Sequence, residues 1–165
     1  MDWIGLFGDP FFWFGVSLVL LTCYRFIPKG KRRMALKFIF LVVPAAGLGY
    51  GMSQFLKVFF AIPRPCAGLE MCPQEFSMPS THATVAFSAL GTLGSLTTPW
   101  VLLIAAIVAV SRVWLGVHTW ADITVGAILG LALAITINQL YKEEFERQED
   151  GNKKSKRGNK NIRDR

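Results

Sequence analysis

From Phe76 to Ser111 the chain runs 36 residues without one Asp, Glu, Lys or Arg. A bilayer crossing needs roughly 20 mostly apolar residues, so this stretch is too long for one crossing and is read as parts of two. Gly94-Ser95-Leu96-Thr97-Thr98-Pro99 supplies the break between them. Three further apolar stretches, about 10–27, 36–57 and 121–141, bring the expected number of crossings to five. Composition agrees: 52% of the 165 residues are hydrophobic, 18% are charged, and the mean hydropathy is +0.39. A soluble domain carries nearer one charged residue in four. The chain therefore reads as an all-α integral membrane helical bundle over 1–141 with a charged tail over 142–165. A soluble core, a disordered chain and a multi-domain enzyme are excluded.

The charges are grouped. Nine of the 18 Lys and Arg lie between Lys142 and Arg165, and six more between Arg25 and Lys37. Basic loops stay on the cytoplasmic side, so the 25–37 loop and the tail are expected inside. Five crossings then put the N-terminus outside, with segment 58–81 and the turn near 113–121 facing the external side. Asp2 and Asp9 precede the first apolar stretch and the basic cluster follows it. That is the reverse of a signal peptide, so the stretch reads as a retained span opened by the aromatic belt Phe11, Phe12, Trp13 and Phe14. The net charge of +7 then reflects orientation in an inner (cell) membrane and contact with anionic lipid head groups. Six acids in the tail, with Phe145 its single aromatic, argue against a nucleic-acid partner.

Three basic residues remain, Lys57, Arg64 and Arg112, all at the external ends of expected spans. A charge within a span costs a few kcal/mol, about 2.5–3.5 on insertion scales, and such residues usually face a polar cavity; the plainer reading is that each snorkels to the surface. Their company favours chemistry. Lys57 and Arg64 are two helical turns apart. Pro79-Ser80-Thr81-His82 opens the third crossing with residues suited to a helix start. Arg112 is followed by His118 and, four residues on, Asp122, a spacing that sets carboxylate beside imidazole on a helix. Three cations gathered at one point repel one another unless a multiply charged anion lies between them, and guanidinium forks match phosphate oxygens. One imidazole to attack and one to protonate a leaving oxygen would complete a phosphoryl-transfer site. A structural role is the alternative for each His taken alone. A metal site lacks further ligands beside two His and one Asp, and the cations oppose one.

Taken in order, Lys57-x6-Arg64-Pro65, Pro79-Ser80-Thr81-His82 and Ser111-Arg112-x5-His118-x3-Asp122 resemble the three signatures of the type 2 phosphatidic acid phosphatase superfamily. The resemblance spans 57–122. It implies a lipid phosphatase that needs no metal or other cofactor and works through a phosphohistidine. Carried over, His118 is the nucleophile, Asp122 orients it, and His82 protonates the leaving group. Lys57, Arg64, Ser80 and Arg112, with backbone N–H groups near Thr81, hold phosphate oxygens. Many members have Gly where this chain has Thr81, and integral members commonly have six spans rather than five.

The expected substrate is a lipid phosphomonoester or diphosphate of the isoprenoid diphosphate, phosphatidylglycerol phosphate or phosphatidic acid type; a sphingoid phosphate also fits. A non-catalytic anionic-lipid binding or transport protein would use the same cations but would not need both His and Asp122. A vanadate haloperoxidase is a more distant rival, because an apolar bundle suits an amphiphile better than halide and peroxide. Cys66 and Cys72 lie in the external segment, where a disulfide is permitted, and both pairing and free thiols stay open. Cys23 reads as packing. Gly126-x3-Gly130 suits close helix approach, within the chain or in a homodimer, and monomer and homodimer both remain open. Trp114 and Trp120 read as interfacial anchors.

Overall fold

The Asp9 side chain accepts a hydrogen bond from the Phe11 N–H at 2.9 Å, and Pro10 follows as the first helical residue, so α1 (Pro10–Thr22) has a capped start. In the computed structural model, which describes residues 7–70, 72–93 and 99–163, α1 is followed by a 3₁₀ turn over Tyr24–Phe26. The first apolar stretch therefore stops being α-helical before its expected limit near 27. Pro28 then precedes α2 (Lys29–Phe60), which carries the basic cluster at its start and continues through Pro44. It closes on Ala61, a left-handed residue (φ 51°) whose N–H returns to the Lys57 carbonyl. The remaining helices are α3 (Thr81–Leu93), α4 (Pro99–Trp114) and α5 (Trp120–Arg163). The break between the third and fourth stretches falls on 94–98, outside the described residues, and its flanking helices end at Leu93 and resume at Pro99.

Among the described residues the fold is all-helical, without strands. Two segments, Phe38–Phe60 and Trp120–Glu144, are long and apolar enough to cross a membrane; α1 and α4 are shorter apolar helices. The distribution of side chains is that of a protein in lipid. Small residues fill the interior: Ala45, Ala46, Ala83, Ala86, Ala89, Ala105 and Ala109 are buried, with Ser53, Thr84, Ser88 and Thr92. Those hydroxyls are satisfied within their own helices, as when Thr92 Oγ1 donates to Ala89 O at 2.7 Å and Ser88 Oγ to Val85 O at 3.1 Å. Large apolar side chains such as Phe11, Phe40, Phe55, Phe59 and Trp100 point outward. Helices that gain nothing by hiding Phe from lipid associate instead by close packing of small residues.

α3 lies at the centre, packed on α2, α4 and α5. Its approach to α5 is set by the two glycines noted in the sequence. A Cβ on Gly130 would lie 2.5 Å from the Thr84 carbonyl oxygen, and one on Gly126 would lie 2.8 Å from that of Ser80. Both glycines thus serve packing within the chain. α1 is fastened by an aromatic group: Trp13 Nε1 donates to the Phe7 carbonyl at 2.9 Å, and its ring packs against Phe38 of α2. Trp114 and Trp120 are largely exposed. The starts of α1 and α3 and the end of α2 converge at one end of the bundle, where the turn between α4 and α5 also lies.

Candidate active site

Three short signals bring the reactive side chains to that end. Pro79 and Ser80 start α3, with Ser80 Oγ 3.5 Å from the Ala83 N–H it caps, and this places Thr81 and His82 in the first turn. Thr119 and Asp122 form a reciprocal cap on α5: Asp122 Oδ2 accepts from the Thr119 N–H at 2.7 Å, and the Asp122 N–H donates to Thr119 Oγ1 at 3.3 Å. That cap fixes His118 immediately before the helix. Ser80 N–H donates to the Asp122 carbonyl at 3.0 Å, tying the start of α3 to the start of α5.

The result is a cavity of about 230 Å³ lined by Lys57, Arg64, Thr81, His82 and His118, together with Gly8, Asp9, Tyr50, Gln54 and Glu75. Both histidines of the chain face it. Ser80, Arg112 and Asp122 are buried outside its lining. Arg112 is held at the end of α4, with Nε donating to Ser111 Oγ at 3.2 Å. Asp122 lies behind His118, its Oδ2 3.4 Å from Nδ1. Gly8 passes so close to His82 that a Cβ there would meet its Cα at 2.7 Å, so the chain before α1 forms one wall.

The hydrogen bonds of His118 fix its tautomer. Arg64 Nη1 lies 3.1 Å from Nε2. A guanidinium only donates, so Nε2 accepts and the ring proton is on Nδ1, facing Asp122. The lone pair of Nε2 is therefore on the Arg64 side of the ring. Burial, with the Arg64 charge adding to it and Asp122 opposing, lowers the pKa of His118 to about 4. At neutral pH the imidazole is uncharged and nucleophilic.

Two residues outside every motif complete the surroundings. Ser77, fully buried, donates its hydroxyl to Asp122 Oδ2, and its Oγ lies 3.4 Å from His118 Nδ1. Glu75 places Oε2 2.5 Å from Lys57 Nζ and 3.9 Å from Arg64 Nη2, while its main-chain carbonyl accepts from Arg64 Nε at 2.9 Å. Neither was found from the sequence, where no local pattern marks them. Cys66 and Cys72 are joined by a disulfide in the same segment. The Thr81 hydroxyl is buried at the cavity without a hydrogen-bond partner among the described residues.

Residues 38–146 match the family described as the PAP2 superfamily. An undecaprenyl-diphosphatase from Sulfolobus acidocaldarius is 33% identical over 139 residues, which is 79% of this chain and 64% of that protein's length. Among solved structures, a PAP2 type phosphatidylglycerolphosphate phosphatase from Bacillus subtilis superposes with a TM-score of 0.67 at 22% identity, covering 85% of this chain and 74% of that one. LpxE from Aquifex aeolicus superposes with a TM-score of 0.62 at 25% identity, covering 82% and 81%.

Proposed function

Because the chain belongs to the PAP2 superfamily, we propose that it is a metal-independent lipid phosphatase that hydrolyses a lipid phosphomonoester or diphosphate through a phosphohistidine. The observation that carries this reading is the convergence of Lys57, Arg64, His82 and His118 on one cavity, with the Nε2 lone pair of His118 directed to the Arg64 side. In the proposed reaction Lys57 and Arg64 neutralise the phosphate oxygens, and Ser80, Arg112 and backbone N–H groups near Thr81 assist. His118 Nε2 attacks phosphorus while the bond to the leaving oxygen breaks, and that oxygen takes a proton from His82. Asp122 supports the positive charge that develops on His118 through Nδ1–H. Water then attacks the phosphohistidine, giving a proton to His82, and inorganic phosphate leaves. The cations supply the charge neutralisation for which other phosphatases use a metal ion.

The 33% identity to an undecaprenyl-diphosphatase supports an isoprenoid diphosphate as the first candidate substrate, with phosphatidylglycerol phosphate and phosphatidic acid beside it. The outward-facing Phe and Trp side chains and the grouped basic residues support five crossings, a cytoplasmic 142–165 tail and a site on the extracytoplasmic side. Purified protein in detergent with chelator present is expected to release phosphate from such lipids. His118→Ala is expected to lower the rate by more than about a thousandfold. Equal release from both proteins would eliminate the covalent mechanism and leave a lipid-binding protein.

A further inference from the structure

The two cations of the cavity already share an anion. Lys57 is 2% exposed, and its ammonium is met by Glu75 Oε2 at 2.5 Å. The same oxygen lies 3.9 Å from Arg64 Nη2, so one carboxylate oxygen bridges the pair that would grip a phosphate. The Glu75 side chain is itself 54% exposed and stands at the cavity rim. Its main chain is pinned independently, by Arg64 Nε on the Glu75 carbonyl at 2.9 Å and by the Ser77 N–H on the Ile62 carbonyl at 2.8 Å. Side-chain rotation alone therefore moves the carboxylate from Lys57 into water, and the site's frame stays in place.

We propose that Glu75 is a built-in competitor for the phosphate position: its carboxylate holds the place of a phosphate between Lys57 and Arg64 and sets an affinity threshold that dianionic phosphomonoester or diphosphate lipids pass and monoanionic phosphodiester lipids do not. The proposal rests on the phosphatase reading of this cavity and adds a selection step to it. A phosphodiester head group offers one negative charge, no more than Glu75 already supplies. Glu75 is also tethered at the site, so its effective concentration is in the millimolar range or above. A phosphomonoester carries about 1.5–2 negative charges at pH 7 and three free oxygens, enough to satisfy ammonium and guanidinium together. The filter has a purpose in a bilayer, where phosphodiester lipids greatly outnumber any substrate. Its hydrogen bond to Lys57, ahead of a further one from Gln54, holds the Glu75 carboxyl below the usual range, so it is ionised across the working pH range.

The test compares His118→Ala protein with the double variants carrying Glu75→Gln or Glu75→Ala, all in dodecyl maltoside. Short-chain phosphatidylglycerol serves as the phosphodiester probe and short-chain phosphatidic acid as the phosphomonoester, with binding followed by titration calorimetry. Loss of one charge-assisted contact corresponds to about tenfold or more. Either lipid must displace the same carboxylate, so removing it is expected to tighten phosphatidylglycerol and phosphatidic acid binding alike by that factor. Unchanged or weaker binding of both lipids in both variants would overturn the proposal and make Glu75 a brace for Lys57. Phosphate release by the wild type is scored separately. Failure there sinks the phosphatase reading and leaves the binding comparison intact.

Discussion

His118 is held by contacts that make its state measurable. With Arg64 donating to Nε2 and Asp122 facing Nδ1, the ring is neutral and carries its proton on Nδ1. Its pKa, lowered by burial and by Arg64 to about 4, means that protonation begins only as pH falls well below the ordinary imidazole range. Nitrogen-15 NMR of histidine-labelled protein should find the His118 ring in the Nδ1–H form at pH 6; a ring titrating near pH 6.5 would contradict this geometry. Turnover needs His118 neutral and His82 protonated in the complex, so the pH–rate curve should be bell-shaped with its acid limb below pH 5, and a rate that does not decline towards pH 9 would argue against the pairing. Ser77 is a positioning residue in this scheme, since it touches Asp122 and the Nδ1 edge of His118 but does not line the cavity. Ser77→Ala leaves a buried carboxylate short of one donor, at about 1–3 kcal/mol. It should reduce kcat by about tenfold or more while KM stays near that of the wild type. A change confined to KM would assign Ser77 to binding instead.

Between elements, the contact of α3 with α5 carries the site, because His82 belongs to one and Asp122 begins the other. Gly130 and Gly126 allow that contact by leaving room for the Thr84 and Ser80 carbonyls. Gly130→Ala puts a methyl group against backbone, where nothing can rotate away, and overpacking of this kind costs about 1–3 kcal/mol. Its melting temperature in detergent should fall, with activity falling at the same time. Gly47→Ala meets nothing within 4 Å on its added Cβ and should melt as the wild type does. If both variants melted alike, the close approach would not be what joins these helices.

Orientation concerns the chain in its bilayer. Sided charge and an interior of small residues both favour a membrane bundle with the 61–80 segment outside and the basic tail inside. In a Cys23→Ser background, an impermeant maleimide should label Gln74→Cys from the outside of intact cells. Lys153→Cys should react only after permeabilisation. The opposite pattern would place the cavity in the cytoplasm and remove the extracytoplasmic reading.

The helical class, the apolar stretches and the grouping of reactive residues at helix ends were legible from the chain alone. Each is recorded locally: a span as an uncharged run, a helix start as Pro79-Ser80 or Asp9-Pro10, a pairing as the four-residue step from His118 to Asp122. Helix limits were less so, because the 3₁₀ turn at Tyr24–Phe26 and the extension of α2 back to Lys29 follow from Pro28 and chain geometry rather than from hydropathy. Glu75 and Ser77 were invisible, since their partners are 18 and 45 residues distant and no local pattern marks a carboxylate or hydroxyl destined for a distant partner. The proton position on His118 was likewise decided only when folding brought Arg64 against its ring. Local pattern sets which groups are available; the packing of α3 among its neighbours sets which of them meet.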